Sequence, residues 1–346
     1  MIKIIHIFEH NDFHKNIDSV ILKTIEYENK HNDVKSKVFN TFNLSKDDVF
    51  KELSSLIIEF KPSFVVFHSL YKTNYLYCSI MLKRNNIIYY IRPHGSFAKN
   101  VFWKNPIKKI FINLTFYYMI YNAAGYLFLN SKEKDNSLFK KKNCFLLPNN
   151  IEQSLKISFD EKFFLVNKKN VITISYIGKI DWYYKNIVFM LDTINKVKNE
   201  NIEFKIYGPI NKEDEKKFKS LINNPKINYC GSVYGEEKDL VYKNTDILLL
   251  LSTSEGMPMV ILEALAKGCA CFVTENTNML EELINNNAGN GGKIDSDLFH
   301  SLSKFIDDYA NNKVKYIQGS LNLANKYIFD IDNLYSTYLK MSNETI

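Results

Sequence analysis

The sequence has 346 residues, of which 46% are apolar and 24% charged, a globular composition that excludes disorder, collagen-like repeats and disulfide miniproteins. Net charge is +7, but residues 1–150 hold 22 basic against 12 acidic side chains, while the remainder holds 23 against 26. The length suggests two domains at roughly 150 residues each, and the basic first half points either to an anionic partner or to a solvated lysine-rich face.

Short β-rich runs alternate with helical stretches, the pattern of parallel α/β sheets. Strands are expected at 3–8, 36–39, 63–68, 87–91, 126–129 and 144–147, with helices near 14–30, 46–60, 72–85, 104–122 and 131–140. The uncharged run 110–131 is long enough to cross a bilayer. Asn113, Thr115, Asn122, Asn130 and a central Ala123-Ala124-Gly125 break instead read it as a helix to about Asn122 followed by a short strand. The scheme repeats with strands at 171–177, 203–207, 227–230, 246–251 and 269–273, and helices near 185–200, 212–223, 236–244, 258–267 and 279–286. Two doubly wound domains follow, 1–160 and 168–328, joined within 150–168. A C-terminal helix over about 330–346 can pack back on the first domain.

Five cysteines (Cys78, Cys144, Cys230, Cys269, Cys271) form no metal-ligand spacing and no disulfide framework, and Cys269 and Cys271 read as buried thiols. The opening Met1–Phe8 is too short for a signal peptide and lacks a cleavage site, so a cytoplasmic location is expected.

Gly178, Gly208, Gly231 and Gly256 each follow an expected strand. Ligands of open α/β sheets bind beyond the carboxyl ends of the strands, where glycine lets the backbone approach them. Four such turns on one edge argue for a binding site there. The most informative stretch is Ser254-Glu255-Gly256-Met257-Pro258-Met259-Val260-Ile261-Leu262-Glu263-Ala264-Leu265-Ala266-Lys267-Gly268. Pro258 suits the first position of a helix and Gly268 its end. The amides of Met259 and Val260 then point outward, a ready anion site. Glu263 lies four residues after Met259, on the same helical face, and Glu255 stands in the loop ahead. Two carboxylates able to accept hydroxyl hydrogen bonds flank a phosphate-binding helix start, which suits a nucleotide sugar.

Glu255-x7-Glu263 within EGMPMVILEALAKG resembles the signature of the retaining GT-B glycosyltransferases of family 4, the glycosyl transferases group 1. Tyr176-Ile-Gly178-Lys179 followed by Lys185-Asn186 is similar to the segment whose two cations grip the donor diphosphate in that family. Lys179 stands where arginine is usual, keeping the charge without the bidentate fork. The resemblance implies two Rossmann-like domains facing a central cleft. It implies ribose hydroxyls on Glu263, sugar hydroxyls on the catalytic Glu255, and backbone from Gly256 and Met257 to Met259 and Val260 near sugar and phosphates. The base pocket would be lined by Gly208-Pro209 and by Gly231-Ser232-Val233-Tyr234. Arg92-Pro93-His94-Gly95-Ser96-Phe97 is similar to the family's histidine loop, which places His94 by the transferred sugar. Residues 123–133 and Leu147-Pro148-Asn149-Asn150-Ile151 also look like family landmarks, with Asn150 where glycine is common. The first loop, Glu9-His10-Asn11-Asp12-Phe13, lacks the family's paired glycines.

No Gly-x-Gly-x-x-Gly and no Walker lysine loop occurs, and no metal-binding motif stands in a convincing setting. Lys179, Lys185 and the Met259 helix start would then meet the leaving-group charge by electrostatic preorganisation, without a metal. The expected activity is transfer of a sugar from a UDP- or GDP-sugar to a glycan or lipid-linked hydroxyl acceptor with retention of configuration and no cofactor. A nucleotide-sugar epimerase of related architecture and a basic RNA- or membrane-binding module are the alternatives. No RNA-recognition signature is present, so no nucleic acid partner is expected. Residues 99–109, which mix Phe102, Trp103 and Ile107 with lysines, suit a segment lying on an anionic membrane surface.

Overall fold

The computed structural model describes residues 1–9, 17–99, 106–141, 143–222 and 224–343. The chain divides into two compact units, Met1–Asn150 with Asp330–Ile346, and Ile151–Phe329.

The first unit runs β1 (Ile2–Phe8), α1 (Ile17–Glu28), β2 (Val34–Asn40), α2 (Lys46–Phe60), β3 (Phe64–His68), α3 (Thr73–Arg84), β4 (Tyr89–Arg92), α4 (Pro106–Asn122), β5 (Gly125–Phe128), α5 (Ser131–Asp135) and β6 (Cys144–Leu146), closed by a C-terminal helix, Ile331–Asn343. Its six parallel strands lie in the order β2-β1-β3-β4-β5-β6. β3 and β4 are buried along their whole length, as strands covered on both faces must be. On one face Ile5, Val65, Phe67 and Ile91 pack with Val49 and Leu53 of α2 and Tyr75 and Leu82 of α3. On the other, Tyr338 of the C-terminal helix meets Phe64 edge-on at 5.7 Å, and the Tyr90 hydroxyl donates to the Met341 carbonyl at 2.8 Å. A reciprocal capping box between Ser45 and Asp48 starts α2.

The second unit runs α6 (Phe159–Asn167), β7 (Ile172–Ile177), α7 (Ile187–Lys196), β8 (Ile202–Tyr207), α8 (Lys212–Leu221), β9 (Ile227–Gly231), α9 (Gly235–Asn244), β10 (Ile247–Leu250), α10 (Met259–Ala266), β11 (Ala270–Thr274), α11 (Leu280–Asn285), β12 (Gly289–Gly292), α12 (Leu298–Asn311) and α13 (Lys313–Asn325). Strand order is β12-β11-β10-β7-β8-β9, again parallel throughout. That is the dinucleotide-fold order, with its reversal between β7 and β10. In the first unit the reversal falls between β1 and β3.

The expected strands form with ends shifted by one or two residues. The helix expected over 131–140 stops at Asp135, because Ser137 turns the chain through its bonds with Phe139 and a bridge to Ala98. The helix expected from 185 starts at Ile187, since Asn186 sits at φ +53°. β12 is an addition that strand propensity could not reveal, because its sequence is Gly-Asn-Gly-Gly. It lies so close to β11 that a Cβ on Gly291 would fall 1.7 Å from the Val273 carbonyl oxygen. Cys269 and Cys271 are fully buried. Two lysines break the pattern of solvated cations: Lys267 is buried against Asp239, and Lys162 of α6 is fully buried, its ammonium donating to the carbonyls of Lys243 (3.0 Å) and Thr245 (2.5 Å). Lys162 thereby closes the negative end of α9.

Candidate active site

In the second unit the strand ends are laced together. The Gly178 amide donates to the Tyr207 carbonyl (2.9 Å), Gly208 to Gly231 (2.8 Å) and Ile180 to Pro209 (2.9 Å). Gly208 has φ +149°, and a Cβ there would lie 1.7 Å from the Gly178 carbonyl oxygen. Only glycine permits that approach.

Across the β7/β10 reversal the structure joins Lys185 directly to Glu255 through an ammonium–carboxylate contact, with both side chains part-buried. Each partner is held by its own loop. Asp181 accepts the amides of Tyr183 (2.9 Å) and Tyr184 (2.6 Å), and the Thr253 amide donates to the Tyr184 carbonyl (2.9 Å), tying one loop to the other. The Glu255 amide donates to Asn276 (3.0 Å), and the Asn278 side-chain amide donates to the Glu255 carbonyl (2.7 Å). Burial pushes the Tyr176 phenol well above its ordinary range, and the neighbouring negative charges of Glu255 and Asp181 push it further. Its hydroxyl donates to the Lys179 carbonyl (2.7 Å), bracing the turn at Gly178.

α10 begins at Met259, so Pro258 is its N-cap and not its first helical residue. The amides of Met259 and Val260 therefore open the helix, in the first turn where no preceding carbonyl can accept them. Met257 is buried, while Gly256, Met259, Val260 and Glu263 are part-buried. Glu263 holds two partners that the sequence did not single out. Its Oε2 accepts from Lys238 Nζ (2.7 Å) and from the Tyr242 hydroxyl (2.7 Å). Oε1 keeps no partner among the described residues. Lys238 and Tyr242 stand four apart on α9, a spacing that could have flagged them. Lys179, Pro209 and Tyr234 are exposed, and no contact among the described residues joins them to Glu255 or Glu263.

In the first unit His94 follows β4 in a left-handed conformation (φ +48°), and its Nε2 stands 3.1 Å from His68 Nδ1. The buried Glu133 accepts the amides of Gly95 (2.5 Å) and Leu129 (2.6 Å), which fixes the turn after His94. Arg92 is buried and donates to the Leu147 (2.9 Å) and Pro148 (3.2 Å) carbonyls. The first loop, 10–13, lies outside the described residues, as do 100–105 and the side chains of 106–109 in the expected interfacial segment. Among the described residues no three His, Cys, Asp or Glu side chains gather as a metal site.

Residues 158–323 match the family described as Glycosyl transferases group 1. Over 210 residues the chain is 30% identical to the Campylobacter jejuni GalNAc-alpha-(1->4)-GalNAc-alpha-(1->3)-diNAcBac-PP-undecaprenol alpha-1,4-N-acetyl-D-galactosaminyltransferase, covering 59% of this chain and 55% of that protein. Over 107 residues it is 35% identical to the capsular polysaccharide biosynthesis glycosyltransferase CapH of Staphylococcus aureus, covering 30% of each. The matches thus span about half of the first relative and less than a third of the second. Anabaena HepE in complex with UDP and glucose superposes with a TM-score of 0.72 over 99% of this chain and 99% of that one, at 10% identity. At that identity the likeness shows the fold alone, the GT-B fold of two Rossmann-like units.

Proposed function

We propose that this chain, whose residues 158–323 match the family described as Glycosyl transferases group 1, moves a sugar from a nucleoside-diphosphate donor to a hydroxyl of a lipid-linked or polysaccharide glycan. The observation that carries this reading is the Lys185–Glu255 pair spanning the β7/β10 reversal, beside the helix start that leads to Glu263. The names of the two relatives, one acting on a diphosphate-linked lipid and one in capsule synthesis, support the acceptor class.

In this reading a UDP- or GDP-sugar lays its diphosphate against Lys185, Lys179 and the Met259 and Val260 amides. Lys185 leaves Glu255 for the phosphate, and the freed Glu255 carboxylate takes sugar hydroxyls. Glu263, its Oε2 held by Lys238 and Tyr242, turns Oε1 to the ribose. Charge growing on the departing diphosphate is met by fixed cations and helix amides, so a metal is not required. The acceptor hydroxyl attacks the face the diphosphate leaves, which retains configuration. A thermal-shift and calorimetric screen of UDP, GDP, ADP, CDP and dTDP and their sugars tests the reading. One nucleoside diphosphate should bind with no added metal, and its sugar should yield that free diphosphate and glycosylated acceptor when acceptor is supplied; binding by none of them sinks it.

A peripheral position at the inner face of the plasma membrane is part of the same proposal. Ile110, Leu114, Tyr117 and Tyr121 recur at helical spacing along α4 and are 49%, 67%, 59% and 66% exposed. Tyr117 and Tyr121 stack at 5.6 Å, and Lys141 Nζ lies 5.9 Å from the Tyr121 ring. No helix among the described residues is long and apolar enough to cross a membrane. From Lys61 to Lys142 the sequence carries 14 basic residues against Glu133 and Asp135. An aromatic stripe with lysines around it suits an anionic phospholipid surface, each lysine contributing about 1 kcal/mol. Vesicles rich in anionic lipid should float the protein at low salt and release Tyr117→Ser/Tyr121→Ser. Equal flotation of that variant, or none of the parent, would end the idea.

A further inference from the structure

At the β1/β3 reversal of the first unit four buried or part-buried side chains from four elements form one hydrogen-bonded line. Glu28, the last residue of α1, has Oε2 3.0 Å from Nε2 of His6 in β1. His6 Nδ1 lies 2.9 Å from Nε2 of His68, which ends β3. His68 Nδ1 lies 3.1 Å from Nε2 of His94, in the loop after β4. At the inner end the Tyr338 hydroxyl donates to Glu28 Oε1 at 2.5 Å. At the outer end His94 Nδ1 keeps no partner among the described residues.

The charges facing this line fix its protons. Burial pushes the Glu28 carboxyl up, but the charge that His6 carries when protonated and the hydrogen bonds of His6 and the Tyr338 hydroxyl outweigh it and hold the carboxyl below its ordinary value, so it is ionised. Burial, then His6, His94 and the Arg92 guanidinium, hold His68 far below the usual histidine range. Burial and Arg92 do the same to His94. Glu133, which burial pushes up, is occupied by the Gly95 and Leu129 amides. A neutral imidazole has one donor and one acceptor nitrogen, and an ionised carboxylate only accepts. In the state with all three imidazoles neutral, Glu28 therefore requires Nε2–H on His6. His6 Nδ1 must accept, which requires Nε2–H on His68, and the same step requires Nε2–H on His94.

We propose that Glu28, His6 and His68 are positioning residues which impose the Nε2–H tautomer on His94 and so present its Nδ1 outward as a bare acceptor for a substrate hydroxyl. One further proton reverses every link. Taken up at His94 Nδ1, it moves Nε2–H of His94 onto His68 and Nε2–H of His68 onto His6, leaving a His6 imidazolium beside ionised Glu28 and Nδ1–H on His94. The line thus passes a proton away from the ligand without charging His94. The tautomer assignment stands on this unit alone; the hydroxyl as ligand rests on the function proposed above.

Long-range nitrogen–proton NMR of the full chain labelled with 15N-histidine tests it, with His94 assigned through His94→Asn. The parent protein at neutral to mildly alkaline pH should show His94 protonated on Nε2. In Glu28→Gln the Tyr338 hydroxyl claims the amide oxygen as it now claims Oε1, which turns the amide NH₂ donor to His6, so His94 should shift toward Nδ1–H. Tyr338→Phe keeps the carboxylate and should leave the tautomer unchanged. A His94 that carries Nδ1–H in the parent, or that stays Nε2–H in Glu28→Gln, overturns the proposal. In a transfer assay Glu28→Gln should lower kcat about tenfold, the weight of one net hydrogen bond, with nucleoside-diphosphate affinity unchanged. Loss of that affinity would mean the variant acts through folding. Absence of any diphosphate binding in the parent would defeat the functional reading while leaving the tautomer result standing.

Discussion

The two sheets reverse at different points, β1/β3 in the first unit and β7/β10 in the second, and each reversal holds a different kind of chemistry. The second unit carries a part-exposed ammonium–carboxylate pair and a helix start, groups that meet charge from outside. The first carries a buried carboxylate and a row of imidazoles, groups that exchange protons among themselves. In the function proposed above one arrangement is re-partnered by a ligand, while the other is already satisfied at all but its outer nitrogen. On that proposal, equivalent places in two related sheets divide binding from proton control.

The largest effect should come from the glycine that laces the second site. Gly208→Ala meets both a strained φ of +149° and the Gly178 carbonyl oxygen, whereas Gly231, at φ +79°, has nothing within 4 Å of its Cβ position. Urea unfolding should show a loss of about 4 kcal/mol for Gly208→Ala and about 1–2 kcal/mol for Gly231→Ala. Equal losses would mean the strand ends are not held as tightly as their bonds imply.

Acid should separate the units next. His68 and His94 have folded pKa values below the unfolded value of about 6.5. Between the two values the unfolded chain binds more protons, so stability is full above about pH 6.5 and falls as pH drops below it, by up to about 1.4 kcal/mol per pH unit for each histidine. Glu28, lowered on folding, acts in the same direction at lower pH, its contribution being lost as pH falls through its folded value. The second unit holds a single histidine, the exposed His300. Hydrogen exchange on acidification should therefore release β1 and β3 before β7 and β10. Release in the opposite order would break the comparison.

A third test bears on the second site alone. Glu263→Ala should weaken nucleoside-diphosphate-sugar binding by about 1.5–3 kcal/mol, typical of hydrogen bonds to a charged group, as read by calorimetry. Unchanged affinity in a folded variant would remove Glu263 from the donor site.

Legibility followed contiguity. Glu255, Gly256 and Glu263 lie within nine residues of one another, so spacing and helix signals exposed them. The alternation of apolar runs likewise gave two parallel α/β units. The strand order, which decides where each reversal falls, depends on which crossovers pack where, and no local pattern states it. The relay was illegible for the same reason: its residues are numbered 6, 28, 68 and 94, and only the sheet brings them into line. A weak signal existed, since His6 interrupts the apolar run Ile4–Phe8 and His68 ends Phe64–His68, where a polar side chain needs a partner. Lys162 was hidden among 43 lysines, and nothing in its neighbourhood marked it as the one that closes α9. Lys238 and Tyr242 were visible as a pair four apart on one helix, but not what they hold, because their partner Glu263 belongs to another helix.

The smallest expected effects concern the two lysines assigned to the diphosphate. Lys185 is tied to Glu255 before any ligand arrives, while Lys179 is exposed and forms no ion pair among the described residues. Removing Lys185 therefore has two consequences that act in the same direction. It deletes a cation from the phosphates, and it frees Glu255, whose negative charge then faces them uncompensated. Both weaken nucleoside diphosphate and neither touches the bare nucleoside. Lys185→Ala should thus raise the dissociation constant for the diphosphate about tenfold or more, the weight of one charge-assisted hydrogen bond, and leave that of the nucleoside unchanged. Lys185→Ala/Glu255→Gln should recover part of the loss, because the stranded carboxylate is gone; no recovery would show that the pair is not part of the phosphate site. Lys179→Arg should change the diphosphate affinity little, since charge is kept at an exposed position and the guanidinium adds a second donor. If Lys179→Arg and Lys185→Ala prove equally damaging, Lys179 is held more tightly by the ligand than its exposure suggests, and the second site closes around its ligand from the β7 side.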